Sequence, residues 1–133
     1  MSQDENGETV STPHVSEKDV LPVNSESESL DSVFRALSDH RRRCICHYLS
    51  QADDSLPVDE LAELLAASMI EKTRAVLTSA EIEKTRTELH RIHLPKLTEA
   101  GIVEYDEEEG VVSLTDSPGV ADTLRAVESV DLQ

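Results

Sequence analysis

Side chains that could contact nucleic acid lie along one predicted helix, from residue 79 to residue 100. An α-helix turns by about 100° per residue, so one side of this segment is predicted to face the core with Ile82, Thr85, Leu89 and Ile92. The opposite side and its flank carry hydrogen-bond donors, namely Lys84, Arg86, Thr87, His90 and Arg91. Lysine and arginine can bind phosphates and guanine edges. These five residues are therefore candidates for contacts with DNA.

The same helix also has a purely structural interpretation. Glu81, Glu83 and Glu88 are spaced to pair with its bases, and charge pairs three or four residues apart stabilise a solvated helix face. Both interpretations stay open, and the residue pattern by itself favours the structural one.

A second basic run, Arg41 to Arg43, is the densest in the chain. Helical spacing predicts that Arg43 is exposed and that Arg41 and Arg42 border the apolar face. Such residues could hold a phosphate beside a groove. Equally, their stems could cover the edge of the core while their heads pair with acids. Arg43 is kept as a sixth candidate for DNA contact.

Two cysteines and two histidines occur close together, as His40, Cys44, Cys46 and His47. Cys44 and Cys46 lie about 200° apart on a helix, so they cannot bind one ion together. A zinc site needs three or four ligands. We therefore predict small buried thiols rather than a metal site.

Motifs of catalysis and cofactor binding are missing from the sequence, which has no glycine-rich phosphate loop, no HExxH and no nucleophile elbow. We expect neither an enzyme nor a bound cofactor, and no small-molecule substrate is indicated.

The net charge of −16 is unevenly distributed along the chain. Residues 1–29 carry −6, residues 30–99 carry −2 and residues 100–133 carry −8, and the middle segment holds ten of the twelve basic residues. An anion-binding face must lie there. Self-repulsion of this size is tolerated where salt screens it, which suggests a salt-adapted cytoplasm. Ordinary acidic disorder is the alternative.

With no apolar run of about 18 residues and no signal-peptide core, a cytoplasmic location and no membrane contact are expected.

The order of predicted elements defines one domain after a tail. Residues 1–29 are predicted to be a disordered acidic tail. Helices follow from Leu30, after Asp39 and from Val58, and residues 67–79 are predicted to be a loop with a turn or two of helix. A capping box, "TSAE", opens the long helix, Pro95 should kink it, and Gly101 should end it. Strands at 102–105 and 111–115 flank the loop "DEEEG", and a last helix follows Pro118. The predicted fold is mainly α with a small β-hairpin (α+β), a winged helix-turn-helix over residues 30–133.

Two segments extend this interpretation by resemblance. "VFRALSDHRRRCICHYL" resembles the first helices of arsenical-repressor-type winged-helix regulators, and "IHLPKLTEAGIVEY" resembles the end of their recognition helix and first wing strand. With the acidic bias, the chain looks like a haloarchaeal family of such domains. The resemblance implies a transcriptional regulator that binds double-stranded DNA as a homodimer. The alternative is a winged-helix module that binds proteins and not DNA. Two features depart from the resembled pattern, the 67–79 segment and the acidic hairpin tip.

A homodimer interface is predicted on the first and last helices. Their apolar side chains recur at helical spacing, as Leu30, Val33, Phe34, Leu37, Val120, Leu124 and Val127. A small core is not expected to cover both faces, and contiguous apolar patches mark interfaces. In the alternative, the last helix folds back onto its own domain.

Overall fold

The computed structural model describes residues 25–131 of the chain. The predicted acidic tail falls largely on residues 1–24, which lie outside the described residues. The first helix begins at Ser25 rather than at Leu30, because its first turn carries no periodic apolar position that the sequence pattern could detect.

Six α-helices and three strands make up the described chain. In chain order the elements are α1 (Ser25–Ala36), α2 (His40–Gln51), β1 (Leu56–Pro57), α3 (Val58–Ile70), a 3-10 turn (Arg74–Val76), α4 (Ser79–Glu88), a π turn (Leu89–His93), α5 (Leu94–Glu99), β2 (Val103–Asp106), β3 (Val111–Leu114) and α6 (Pro118–Asp131). We call α4, the π turn and α5 together the long helix. Among these residues no helix combines the length and the apolar character that a membrane crossing requires.

The sheet has three antiparallel strands in the order β1-β3-β2. The hairpin of β2 and β3 was predicted, and the α+β fold class is confirmed. The strand β1 was not predicted, and it forms because Leu56 pairs with Val112. A strand of two residues has no alternation to detect, since only its pairing partner makes it a strand.

The core lies between α2, α3, the long helix and one face of the sheet. Its largest fully buried apolar side chains come from every one of these elements: Ile45, Leu61, Leu65, Leu89, Leu97, Ile102 and Val112. Burial of a side chain of this size contributes roughly 1.5–3 kcal/mol, so this cluster fixes where the long helix lies.

Both ends of the long helix form as the sequence predicts. The Thr78 hydroxyl accepts a hydrogen bond from the Glu81 amide at 3.1 Å, and the Glu81 carboxylate accepts one from the Thr78 amide at 2.9 Å. At the other end Gly101 has φ +74°. The amides of Gly101 and Ile102 bond the carbonyls of Thr98 and Leu97, each at 3.0 Å, which is the glycine-ended cap that satisfies the last carbonyls.

The kink predicted near Pro95 takes the form of the π turn. The Leu94 amide bonds the Leu89 carbonyl five residues back, and Pro95 has no amide with which to continue an α-helical ladder. The wider turn rotates the residues that follow. As a result His93 is buried at 1% exposure while Ile92 is 44% exposed. The prediction that Ile92 faces the core was wrong for this reason.

The segment 67–79 is more helical than predicted. The helix α3 continues to Ile70 and ends at Glu71 in a left-handed conformation, φ 60°. The connection that follows is held by Lys72, whose ammonium lies 2.9 Å from a Glu81 oxygen, and by Arg74, whose guanidinium lies 3.1 Å from a Glu63 oxygen. These ion pairs, which join residues nine or more positions apart, left no local signal in the sequence.

Candidate nucleic-acid interface

The outward face of the long helix carries four of the six predicted DNA contacts. Lys84, Thr87, His90 and Arg91 are all exposed. They point outward because Thr85 and Leu89 are buried on the opposite side. Lys84 and Arg91 are separated by seven residues, about two helical turns or roughly 10 Å of rise.

Arg86 belongs to the fold instead. Its guanidinium lies 3.1 Å from a carboxylate oxygen of Asp59 on α3 and also pairs with Glu83 on its own helix. The side chain is half-buried, so this residue joins α3 to the long helix. Arg86 as a DNA contact stays a prediction, and both carboxylates would have to release the guanidinium before it could bind a phosphate.

Lys84 and Arg91 differ from Arg86 in their surroundings, since neither forms an ion pair with another residue in the 25–131 range. Two of the three nearby acids have other partners, because Glu81 pairs with Lys72 and Glu83 with Arg86, and the third, Glu88, forms no ion pair with either base within residues 25–131. The structural interpretation, in which the helix balances its own bases, therefore accounts for Arg86 and leaves Lys84 and Arg91 unexplained.

The acidic hairpin tip stands beside this basic face. The ring of His90 lies 5.8 Å, centroid to centroid, from that of Tyr105 on β2. Glu107, Glu108 and Glu109 are exposed at the tip, where the Asp106 carboxylate accepts hydrogen bonds from the amides of Glu108 and Glu109, each at 3.1 Å. A negative surface thus adjoins the positive one.

The three consecutive arginines have three different environments. Arg41 is exposed and binds Asp39 with two guanidinium nitrogens at 3.0 and 3.2 Å. Arg42 is buried at 8% exposure. Arg43 is partly buried and donates to the Leu37 carbonyl at 2.9 Å. The predicted exposure of Arg43 is therefore corrected, because its head caps the end of α1.

Asp39 begins α2, as predicted, by accepting a hydrogen bond from the Arg41 amide at 2.8 Å. Partial burial acts to raise the pKa of this carboxyl group. The bonds from Arg41 and the charge of Arg42 outweigh that effect and lower the pKa to about 2.

A buried contact between Arg42 and His93 was not predicted. An Arg42 guanidinium nitrogen lies 3.4 Å from His93 Nδ1, and its Nε donates to the Ala36 carbonyl at 2.6 Å. The other ring nitrogen of His93 is buried and has no hydrogen-bond partner within the described part of the chain. Burial is the largest effect on the pKa of His93 and lowers it, and Arg41 and Arg42 act in the same direction against Asp39 and Glu88. The one signal in the sequence was Pro95, which causes the turn that directs His93 inward.

The cysteines are not arranged for metal binding. Cys46 is buried, and its burial raises the pKa of its thiol to about 12, with a smaller contribution in the same direction from the negative charge of Glu128. Cys44 is half-buried, with its sulfur 3.7 Å from His40 Nε2. Over residues 25–131 no group of three or more potential ligands could hold a metal ion.

The predicted dimer-interface residues fall into two groups. Leu30 and Phe34 are 49% and 54% exposed. The remainder pack into the core of the single chain, where Val127 is partly buried and four are buried: Val33, Leu37, Val120 and Leu124. The expectation that the core leaves both apolar faces uncovered is corrected, because α6 packs against α2. The exposed apolar surface on α1 is limited to its outer side.

Comparison with known proteins identifies a family. The profile of a protein family described as a domain of unknown function (DUF7344) matches residues 34–113, from α1 to β3. No curated protein matches the chain, and no solved structure matches it.

Replacing His93 should change how stability depends on pH. Its pKa is lowered in the native state from the ordinary value of 6.5, so below pH 6.5 the unfolded chain binds a proton that the native chain excludes. The histidine thus costs no stability above pH 6.5 and destabilises the fold as pH falls below it, by at most about 1.4 kcal/mol per pH unit for one proton. In His93→Gln, denaturant unfolding between roughly pH 5 and pH 7 should show a shallower loss of stability. The exposed His90→Gln is the control and should keep the slope of the unmodified protein. Equal slopes in all three proteins would contradict this account.

Proposed function

The chain belongs to the family described as domain of unknown function (DUF7344), and we propose that it is a transcriptional regulator that binds double-stranded DNA. The observation that carries the proposal is the pair Lys84 and Arg91. In a chain with 28 acidic and 12 basic residues, these two bases are exposed on one helix face without an acidic partner among residues 25–131. Unneutralised bases on a helix about 10 Å apart suit successive contacts with a DNA groove.

The proposal includes the finer fold assignment, a winged helix-turn-helix similar to arsenical-repressor-type regulators and of haloarchaeal type. In its support, three helices and a short strand precede the long helix, and an antiparallel hairpin follows it. In such a domain α3 is the positioning helix, the long helix is the recognition helix and the hairpin is the wing. The similarity of residues 33–49 and 92–105 to that class is further support.

We assign the contacts residue by residue. Lys84 binds a phosphate and Arg91 reaches a phosphate or a guanine edge. Thr87 already donates to the Glu83 carbonyl at 3.0 Å, so its hydroxyl oxygen accepts from DNA or water. His90 lies at the side nearest the wing. Arg86 and Arg43 are excluded, since carboxylates hold the first and a backbone carbonyl holds the second.

The wing takes no part in binding in this proposal. Its tip carries the carboxylates of Glu107, Glu108 and Glu109, which repel phosphates at a distance in dilute buffer. In molar salt the Debye length is about 3 Å, so the repulsion acts only at contact. The long helix alone then supplies affinity and sequence discrimination, in a salt-adapted cytoplasm.

A second candidate function is a protein-binding module. The acidic tip favours it, because carboxylates beside the proposed recognition surface suit a basic protein partner better than DNA. The two candidates differ in what Lys84 and Arg91 do. They contact DNA in the first and are solvated in the second.

Replacing Lys84 or Arg91 by alanine should weaken DNA binding without unfolding the domain. Loss of a base contact costs ~1–3 kcal/mol and relaxes discrimination at one position, whereas loss of a phosphate contact weakens all sequences alike and reduces the salt dependence. Fluorescence anisotropy in molar KCl, with fragments from around the protein's own promoter, measures both effects. Lys96→Ala is the matched control, because Lys96 is also an exposed base of the long helix but lines the groove toward α1. Unchanged affinity in both variants, with normal melting, would favour the protein-binding module.

Neutralising the wing should strengthen DNA binding only at low salt. The triple variant Glu107→Gln, Glu108→Gln and Glu109→Gln lacks the charges that repel the DNA phosphates. Once the Debye length falls to about 3 Å, salt already screens this repulsion, so the variant should then bind no more tightly than the unmodified protein. A salt titration of DNA affinity should show the curves of variant and unmodified protein converging in molar KCl. Curves that stay apart at high salt would show that the wing lies against DNA.

The proposal also includes a homodimer whose interface is the exposed outer side of α1, and this dimer should depend on Phe34. The side chain is 54% exposed beside Leu30, and an aspartate there places a charge in an apolar contact. Sedimentation at protein concentrations on the order of tens of micromolar should give a dimer for the unmodified chain and a monomer for Phe34→Asp. Val76→Asp, at a 60% exposed site on the 3-10 turn, should remain dimeric. A monomeric unmodified chain would remove the dimer from the proposal. A substitution at Leu124, which was also predicted to lie in the interface, would not test the dimer because Leu124 is buried in the core of its own chain.

A further inference from the structure

A cavity of about 150 Å³ lies between α2 and α6, away from the outward face of the long helix. Its walls are the apolar parts of Tyr48, Leu124 and Val127 together with the thiols of Cys44 and Cys46. An apolar cavity of about this volume is large enough for one benzene-sized molecule. The packing of α6 on α2 therefore leaves a small-molecule compartment, where tight packing would have closed it.

One polar atom in this wall is unsatisfied. The Oε2 atom of Glu128 is buried and has no hydrogen-bond partner among the described residues. His47 Nδ1 lies 3.6 Å away, within ion-pair distance when the imidazole is protonated but too far for a hydrogen bond, and the Glu128 side chain is 26% exposed. A buried acceptor without a donor destabilises the state in which it is left, and more so when it is charged. A ligand that brings a donor to this oxygen would recover that free energy.

The remaining polar groups indicate the charge of the ligand. Arg43 is the one arginine in the wall, and its guanidinium donates to the Leu37 carbonyl at the end of α1. The Glu128 carboxylate is close enough to Cys46 to raise the pKa of that thiol, so its negative charge acts inside the cavity. An anionic ligand would be repelled by this carboxylate, and the donors left to it would be Arg43, which is already bonded to the Leu37 carbonyl, and the imidazoles of His40 and His47.

We propose that the cavity binds a compact apolar molecule carrying one primary amine, with the ammonium group on Glu128 and the apolar body between Leu124, Val127 and Tyr48. A charge-assisted hydrogen bond between ammonium and carboxylate is about twice as strong as a neutral one. Salt screens such a buried pair far less than a surface pair, so binding survives in a salt-rich buffer. The apolar body supplies the rest of the affinity by leaving water.

Benzylamine is the probe that tests this assignment. Its ring matches the cavity volume, and a single methylene group joins the ring to the amine. Calorimetric titration of the full chain in molar KCl should show one site per chain, and benzylamine should bind at least tenfold more tightly than benzyl alcohol. Benzoate should not bind. Tighter binding of benzoate than of benzylamine would overturn the proposal by making Arg43 the anchor. Binding of no probe would overturn it by leaving only water in the cavity.

Two pairs of variants locate the site. Val127→Phe fills the cavity and should lower benzylamine affinity at least tenfold, whereas Ala126→Phe adds the same ring at an exposed position of α6 and should leave affinity within twofold. Glu128→Gln keeps the shape but removes the charge and should also cost at least tenfold, whereas Asp122→Asn, an exposed acid on the same helix, should not. The near-isosteric Glu128→Gln keeps the test valid if Val127→Phe fails to fold. Unchanged affinity in Glu128→Gln would overturn the proposal.

Discussion

The guanidinium of Arg42 connects three parts of the chain whose relative orientation would otherwise be less constrained. It bonds the Ala36 carbonyl at the end of α1, lies 3.9 Å from Asp39 at the start of α2, and contacts His93 in the π turn. A buried charge that loses its partners costs several kcal/mol, so these contacts must form together. Because the guanidinium presents its donors in a rigid planar fork, it fixes the directions of α1, α2 and the long helix relative to one another.

Much of the fold was predictable because its signals are local. The capping box at Thr78, the left-handed Gly101 and the hairpin around "DEEEG" each lie within twelve consecutive residues, and all three formed as predicted. Interactions between distant residues were not predictable. The pairing of Leu56 with Val112 and the contact of Arg42 with His93 exist only in the folded chain. A helical wheel placed Ile92 inward because it assumes 3.6 residues per turn, which the π turn does not obey.

The candidate site shows the same division between local and tertiary information. Helical spacing predicted correctly that Lys84, Thr87, His90 and Arg91 are exposed, but it could not distinguish them from Arg86, whose partner Asp59 is on another helix. In an acidic chain, whether a basic side chain is available to DNA depends on whether the folded structure places a carboxylate beside it. That property depends on tertiary structure. A salt-rich solvent strengthens the distinction, because screening removes distant repulsion while leaving contacts within hydrogen-bond distance largely intact.

The helix α2 separates the two surfaces and limits how they can influence each other. His40, Cys44 and His47 line the cavity on one side, whereas Arg42 reaches the π turn from the other. Shifting α2 would separate Arg42 from the Ala36 carbonyl and from His93, and a buried donor left without its acceptor costs roughly 1–3 kcal/mol, more for a charged group. A ligand can shift the equilibrium between two positions of α2 only by the difference between its affinities for them. A ligand as small as benzylamine makes few contacts, so this difference is small. If the proposed ligand binds, we expect its occupancy of the cavity to act on α6, which forms the other wall, while α2 and the long helix keep their relative positions.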